Sequence, residues 1–236
     1  MKYIYILSFL LVVLSCTPQE NGHTEPEVTP NQPNMYPAIT TYLQTALADS
    51  IQIPDERKES LERLAGFIKE RSHTKSNLIF ICTHNSRRSH MSQIWAAAAA
   101  HYFGLDHVYT YSGGTEATAF NPRAMAAMER AGFRINAPGG DNPKYLVQFS
   151  DSADPITCFS KVYDDPFNAT EDFAAVMTCS DADEACPYIP GTSLRVAIPY
   201  VDPKQSDGTP EEEATYDERC RQIAVEMVYA MSRVER

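Results

Sequence analysis

Cys82-Thr83-His84-Asn85-Ser86-Arg87-Arg88-Ser89 sets a thiol six positions before Arg88 and seven before Ser89. The apolar run Asn77 to Ile81 before it suits a buried parallel strand, and the Ala-rich stretch His90 to Tyr102 after it reads as a helix. Strand, polar loop and helix form an anion-site layout. Loop amides from Thr83 to Arg87 and the helix N-terminus aim several N–H groups at one point, the helix dipole adds partial positive charge, and the Arg88 guanidinium can grip two oxygens of a tetrahedral oxyanion. Arg87 adds a second positive charge. The same field favours a thiolate at Cys82, which should titrate well below the free value of about 8.5 and act as a nucleophile near neutral pH. The Ser89 hydroxyl can donate to that sulfur and later stabilise it as a leaving group.

A second thiol pair follows a second apolar run. Phe173 to Thr178 reads as another buried strand and delivers Cys179, with Cys186 seven positions on. Ends of parallel strands converge on one side of a sheet, so Cys179 can come near Cys82. Three readings stand open: a relay of three thiols, a permanent disulfide or inert buried thiols, and a metal site with Asp181 and Asp183. The last lacks a nearby histidine. Cys158 and Cys220 are assigned to the core by default.

Other segments must position these residues. Ile39, Tyr42, Leu43 and Ala46, and then Leu61, Leu64, Ala65 and Ile68, recur at helical spacing and predict two helices between 37 and 76. Tyr216 to Val234 predicts a terminal helix with Ile223, Ala224, Met227, Val228 and Met231 on its apolar face. At 236 residues, with 43% hydrophobic and 22% charged residues, the chain suits one globular domain with attachments. Its 20 Lys and Arg against 31 Asp and Glu give a net charge of −11, which argues against nucleic acid as a partner.

The N-terminus reads as an export signal. Lys2 precedes an apolar run from Tyr3 to Leu14 that is too short, at about 1.5 Å per residue, to span about 30 Å of hydrocarbon. The run ends in Val13-Leu14-Ser15-Cys16, which resembles a bacterial lipoprotein cleavage box; that resemblance implies lipid on Cys16, and an ordinary signal peptide is the alternative. Residues 17 to 36 hold four prolines and no periodicity, so they read as a flexible spacer. The expected organisation is a signal peptide over 1–15, anchor and spacer over 16–36, a helical extension over 37–76, and a catalytic domain over 77–236. The expected location is the bacterial cell envelope, lipid-anchored and periplasmic.

The Cys82 to Ser89 loop, Tyr111-Ser112-Gly113-Gly114-Thr115-Glu116, Asn121-Pro122-Arg123-Ala124 and Ala131-Gly132-Phe133 together resemble the low-molecular-weight protein tyrosine phosphatase family. The Cys179 to Pro187 segment is similar to the redox segment of its thioredoxin-coupled arsenate reductase branch. The resemblance runs over roughly residues 76 to 236, with an insertion at about 136–170. It implies an α/β three-layer sandwich with a central four-stranded parallel sheet, preceded here by the helical extension. His84 departs from the family's usual glycine, and Arg87 from a cysteine or hydrophobe. His84 either alters loop flexibility, contacts the anion, or faces solvent as a tolerated change.

Asp202-Pro203 looks like the family's general acid, with Asp154-Pro155 and Asp165-Pro166 as rivals assigned to turns. Lys204 to Asp207 lacks the tyrosines that in ordinary family members grip a phosphotyrosine ring. The resemblance implies arsenate reduction: Cys82 attacks arsenate held by Arg88, Asp202 protonates the departing oxygen, and Cys179 and then Cys186 take over the disulfide. No cofactor is implied, but a thioredoxin-like protein must reset the thiols. Gln93 stands where some arsenate reductases carry an acid that helps hold a cation, so no metal is expected. The alternatives are a phosphatase working through a Cys82-phosphate and a non-catalytic thiol sensor. Cysteines seven apart on an intact helix lie about 10 Å from each other, whereas a disulfide needs Cα atoms within about 4.4–6.8 Å, so the Cys179–Cys186 segment must rearrange on oxidation.

Overall fold

The structure is a computed structural model that describes Met1 and residues 34–234; the expected signal peptide, Cys16 and most of the expected spacer lie outside the described residues. The chain divides into units of Met1–Gln32 and Pro33–Arg236, and every helix and strand named below belongs to the second. In chain order they are α1 (Pro37–Asp49), α2 (Asp55–Glu70), β1 (Ser76–Cys82), α3 (Arg88–Tyr102), β2 (Val108–Gly114) and α4 (Pro122–Arg130). Then come β3 (Arg134–Asn136), β4 (Tyr145–Gln148), β5 (Ile156–Cys158), β6 (Phe173–Met177), α5 (Ser180–Ala185), β7 (Thr192–Ala197) and α6 (Glu212–Ser232).

The central sheet is parallel and four-stranded in the order β2-β1-β6-β7. Side-chain alternation sorts its strands into two cores. Leu78, Phe80, Ala174, Val176 and Val196 face a thick helical layer, whereas Ile79, Ile81, Ala175 and Met177 face a thinner one holding Ala182 of α5 and Ile189. In the thick layer α6 packs against α1, α2, α3 and α4, and α2 also meets β7. The buried stripes Ile39, Leu43, Ala46 and Leu61, Leu64, Ala65, Ile68 are what α1 and α2 bring to this layer. Among the described residues no helix is long and apolar enough to cross a membrane.

Two helices start earlier than the sequence predicts, and a second sheet is present that it does not predict. Helix α3 begins at Arg88 rather than His90, so Arg88 and Ser89 already occupy its first turn. The polar loop hides that start, because residues that serve a loop and a first helical turn carry no apolar period. Helix α6 likewise begins before Tyr216. The insertion at about 136–170 carries β4 and β5, which join β3 in an antiparallel three-stranded sheet, β3-β4-β5, whose strands of three or four residues are too short to show alternation.

Beyond β5 the chain turns back along the end of β2. Gly114 N–H donates to the Lys161 carbonyl and Tyr163 N–H donates to the Gly114 carbonyl, both at 2.9 Å. The contact is close enough that a Cβ on Gly113 would stand 2.4 Å from Tyr163 Cα. Gly113→Ala must therefore push two backbones apart. It should lower the unfolding free energy by about 1–3 kcal/mol, measured by urea denaturation.

Candidate functional site

Cys82 ends β1 and is buried, with its sulfur 3.1 Å from Ser89 Oγ. Asn85 Nδ2 donates to the same Ser89 oxygen at 2.8 Å. With a lone pair of Ser89 filled by Asn85, the hydroxyl proton is free to point at the Cys82 sulfur, the polarity that a thiolate needs. Asn85 itself adopts φ 43°, a left-handed conformation that asparagine tolerates better than most residues. Its Oδ1 accepts the Lys161 N–H at 2.9 Å, so one fully buried side chain ties the loop to the insertion and orients Ser89. Gly114 lies directly beneath: a Cβ there would meet the Thr83 carbonyl at 2.6 Å and the Asn85 nitrogen at 2.8 Å.

The loop's carbonyls are taken up by neighbouring segments. The Thr83 oxygen accepts from Glu116 N–H and Thr115 Oγ1, His84 O from Thr118 Oγ1 and Ser160 Oγ, and Ser86 O from Asn121 N–H. Among the described residues, no N–H of 83–87 donates to a protein acceptor. With its carbonyls taken up and its amides without protein acceptors, the loop that ends at the α3 N-terminus is rich in free donors and suited to an oxyanion.

Arg88 Nη1 donates to the Tyr200 carbonyl at 3.0 Å, its Nη2 donates to Asp202 Oδ2 at 2.8 Å, and its Nε is buried with no protein partner. Asp202 is thereby brought to the rim of the loop, held also by accepting the Lys204 N–H. Of its rivals, Asp165 accepts the Phe167 N–H within a turn and Asp154 is exposed. The Arg87 guanidinium donates to the Tyr216 hydroxyl at 2.8 Å and lies 3.6 Å from Asp207 and 4.0 Å from Asp202, so the side chain braces the wall that holds Asp202. His84 pairs with Glu116 and is partly exposed. Ser86 Oγ donates to the Ala119 carbonyl. With the side chains of Arg87, His84 and Ser86 so engaged, their backbone amides are what these residues can offer an anion.

Cys179 follows β6 as the N-cap residue of α5 and is buried, its sulfur 3.5 Å from Thr83 Oγ1. Cys186 is the C-cap residue of the same six-residue helix and is half-buried. Both thiols pack into the apolar cluster that contains Cys82, and all three are free. A permanent disulfide between Cys179 and Cys186 is therefore not what this structure holds. Cys158 and Cys220 sit elsewhere: burial pushes their thiols up to about 12 and about 11, and Cys220 accepts the Trp95 indole N–H. Gln93 binds the Thr110 carbonyl, and no cluster of His, Cys, Asp or Glu suited to a metal occurs among the described residues.

Sequence reasoning missed Tyr216, Asp207 and Lys161. Lys161 is buried behind the loop, its ammonium lowered to about 8 by desolvation, and it donates to the Phe159 carbonyl. Nothing in a linear pattern marks such a residue, although a lysine beside Ser160 in an otherwise apolar stretch is a weak signal.

The profile of the low molecular weight phosphotyrosine protein phosphatase family matches residues 77–145. An arsenate reductase from Bacillus licheniformis is 33% identical over 148 residues, spanning 63% of this chain and 88% of that protein. Another, from Bacillus subtilis, is 33% identical over 144 residues, spanning 61% and 86%. The chain belongs to the family of these arsenate reductases. Among solved structures, a low molecular weight phosphotyrosine phosphatase from Vibrio cholerae O395 superposes with a TM-score of 0.44 at 14% identity, covering 64% of this chain and 92% of that one.

Asn85→Ala leaves the Lys161 N–H without its acceptor and puts alanine in a left-handed conformation. It should cost about 2–4 kcal/mol of stability, read by thermal or urea unfolding, and slow alkylation of Cys82 relative to the parent protein.

Proposed function

We propose that the protein is an arsenate reductase that passes electrons through Cys82, Cys179 and Cys186. The observation that carries this reading is that all three thiols are free and share one apolar cluster, beside a loop whose amides and Arg88 can hold an oxyanion. The Cys82 thiolate attacks arsenic while Asp202 protonates the departing oxygen, forming a sulfur–arsenic bond and releasing water. Cys179 then attacks the Cys82 sulfur. The sulfur–arsenic bond breaks with its electron pair left on arsenic, so As(V) becomes As(III) and two thiols become one disulfide. Cys186 next attacks Cys179 and frees Cys82 by redox-neutral exchange. A thioredoxin-like dithiol protein reduces the resulting disulfide; no cofactor takes part.

A phosphatase reading rests on a specific subset of the same residues. Cys82, Arg88 and Asp202 suffice for transfer of a phosphoryl group to sulfur and its hydrolysis, without Cys179 or Cys186. The two readings part in one experiment. Arsenate-dependent oxidation of thioredoxin should fall to background in Cys82→Ser, Cys179→Ser and Cys186→Ser, and Asp202→Asn should slow it by about 10²–10⁴-fold. Aryl-phosphate turnover that survives Cys179→Ser and Cys186→Ser, with no arsenate-dependent oxidation in the parent protein, would instead favour the phosphatase.

The signal segment supports a further reading, that Cys16 is lipidated and anchors the enzyme in the bacterial cell envelope, with the domain in the periplasm. A relay there requires reducing equivalents delivered across the membrane, because that compartment is kept oxidising. Radiolabelled palmitate fed to bacteria expressing the full chain should label the parent protein and leave Cys16→Ser unlabelled.

A further inference from the structure

Helix α5 is held at its C-terminal end by one side chain from the edge strand. Arg195 on β7 donates from Nε to the Cys186 carbonyl at 3.1 Å and from Nη2 to the Asp183 carbonyl at 2.6 Å. The same Nη2 is ion-paired with Asp183 Oδ1 at 2.6 Å. These are carbonyls at a helix end that have no partner within the helix, met by a cation of the sign that the helix dipole favours there. Arg195 is fixed in turn because β7 pairs with β6 in the register Ala175 to Arg195, and its own carbonyl accepts from Arg63.

From these contacts we propose that Arg195 is a positioning residue for the redox step, a latch that selectively stabilises the dithiol form of Cys179 and Cys186. The inference rests on the relay reading. Cys179 and Cys186 flank an intact α5; a helical rise over seven positions is about 10 Å, whereas a disulfide needs Cα atoms within about 4.4–6.8 Å. When the Cys186 thiolate attacks the Cys179 sulfur, forming their bond and expelling the Cys82 thiolate, α5 must unwind and Cys186 must travel toward Cys179. Its carbonyl and that of Asp183 cannot both stay on a guanidinium anchored to the sheet. Each contact that Arg195 makes is thus available to the reduced form and forfeited, at least in part, by the oxidised one. The latch raises the reduction potential of the pair, making the disulfide easier for a dithiol protein to reduce. It also delays attack by Cys186 until α5 opens.

The test is redox equilibration of full-length parent protein, Arg195→Met, Arg195→Lys and Asp183→Asn in glutathione buffers, with the Cys179–Cys186 disulfide quantified by peptide mass spectrometry. Arg195→Met should favour the disulfide about tenfold, a potential about 30 mV more negative. Asp183→Asn, which removes the ion pair and keeps the carbonyl contacts, should give a smaller shift in the same direction, and Arg195→Lys a partial restoration relative to Met. Hydrogen exchange of reduced Arg195→Met should show lost protection in α5 and unchanged protection in β1 and β6, which separates the latch from general unfolding. Equal midpoints in all four proteins would overturn the latch alone. Absence of the disulfide in every one, under any buffer, would overturn the latch and the relay together.

Discussion

Thr178 donates twice to the Ile81 carbonyl, from its N–H at 2.7 Å and from Oγ1 at 2.8 Å. This clamp closes the β1–β6 ladder at the level where both strands end, and the candidate site depends on it. One residue past Ile81 stands Cys82, and one past Thr178 stands Cys179. The same rung continues outward, since Ile198 N–H donates to Met177 O and Tyr200 N–H to Thr178 O. Those bonds carry the chain past β7 to the Tyr200 carbonyl and Asp202, both of which meet Arg88. Parallel pairing and the bonds that extend it past β7 thus deliver two thiols and a carboxylate to one end of the sheet, from positions 82, 179 and 202.

The two faces of the sheet serve different ends. The face covered by α3 and α6 is thick, and the helices α1 and α2 thicken it further, so the N-terminal half of α3 is buried on nearly every side. That burial makes the start of α3 rigid and supports the anion loop from below. The opposite face is covered by a single short helix and by loops. The redox segment belongs to the thin face, where six helical residues cost little to unfold compared with any helix of the main layer. In the proposed relay Cys186 moves over several ångströms, which in the other layer would break the core.

The loop shows a second division of labour. Asn85, Ser89 and Gly114 fix its shape through buried contacts, while Arg87, Tyr216 and Asp207 brace the wall that holds Asp202. The insertion joins this structure at Lys161, whose backbone bonds both Asn85 and Gly114. The insertion is in this way part of the floor beneath Cys82.

The sequence by itself determined the local pieces: the strand and loop around Cys82, the strand before Cys179, the Asp202-Pro203 turn, the apolar stripes of the helices and the family they resemble. Each is a pattern of neighbours, written in hydrophobic period, turn chemistry or fixed spacing. Tertiary structure decided which way Arg87 points, that the short strands β3 to β5 form a sheet, that Lys161 lies behind the loop, and that Arg195 grips the end of α5. Arg195 is nine positions from Cys186 and Tyr216 is 129 from Arg87, and no periodicity couples residues on different elements. A guanidinium has several partners within reach of its long stem, so its choice is settled only when packing has placed the carbonyls and carboxylates around it.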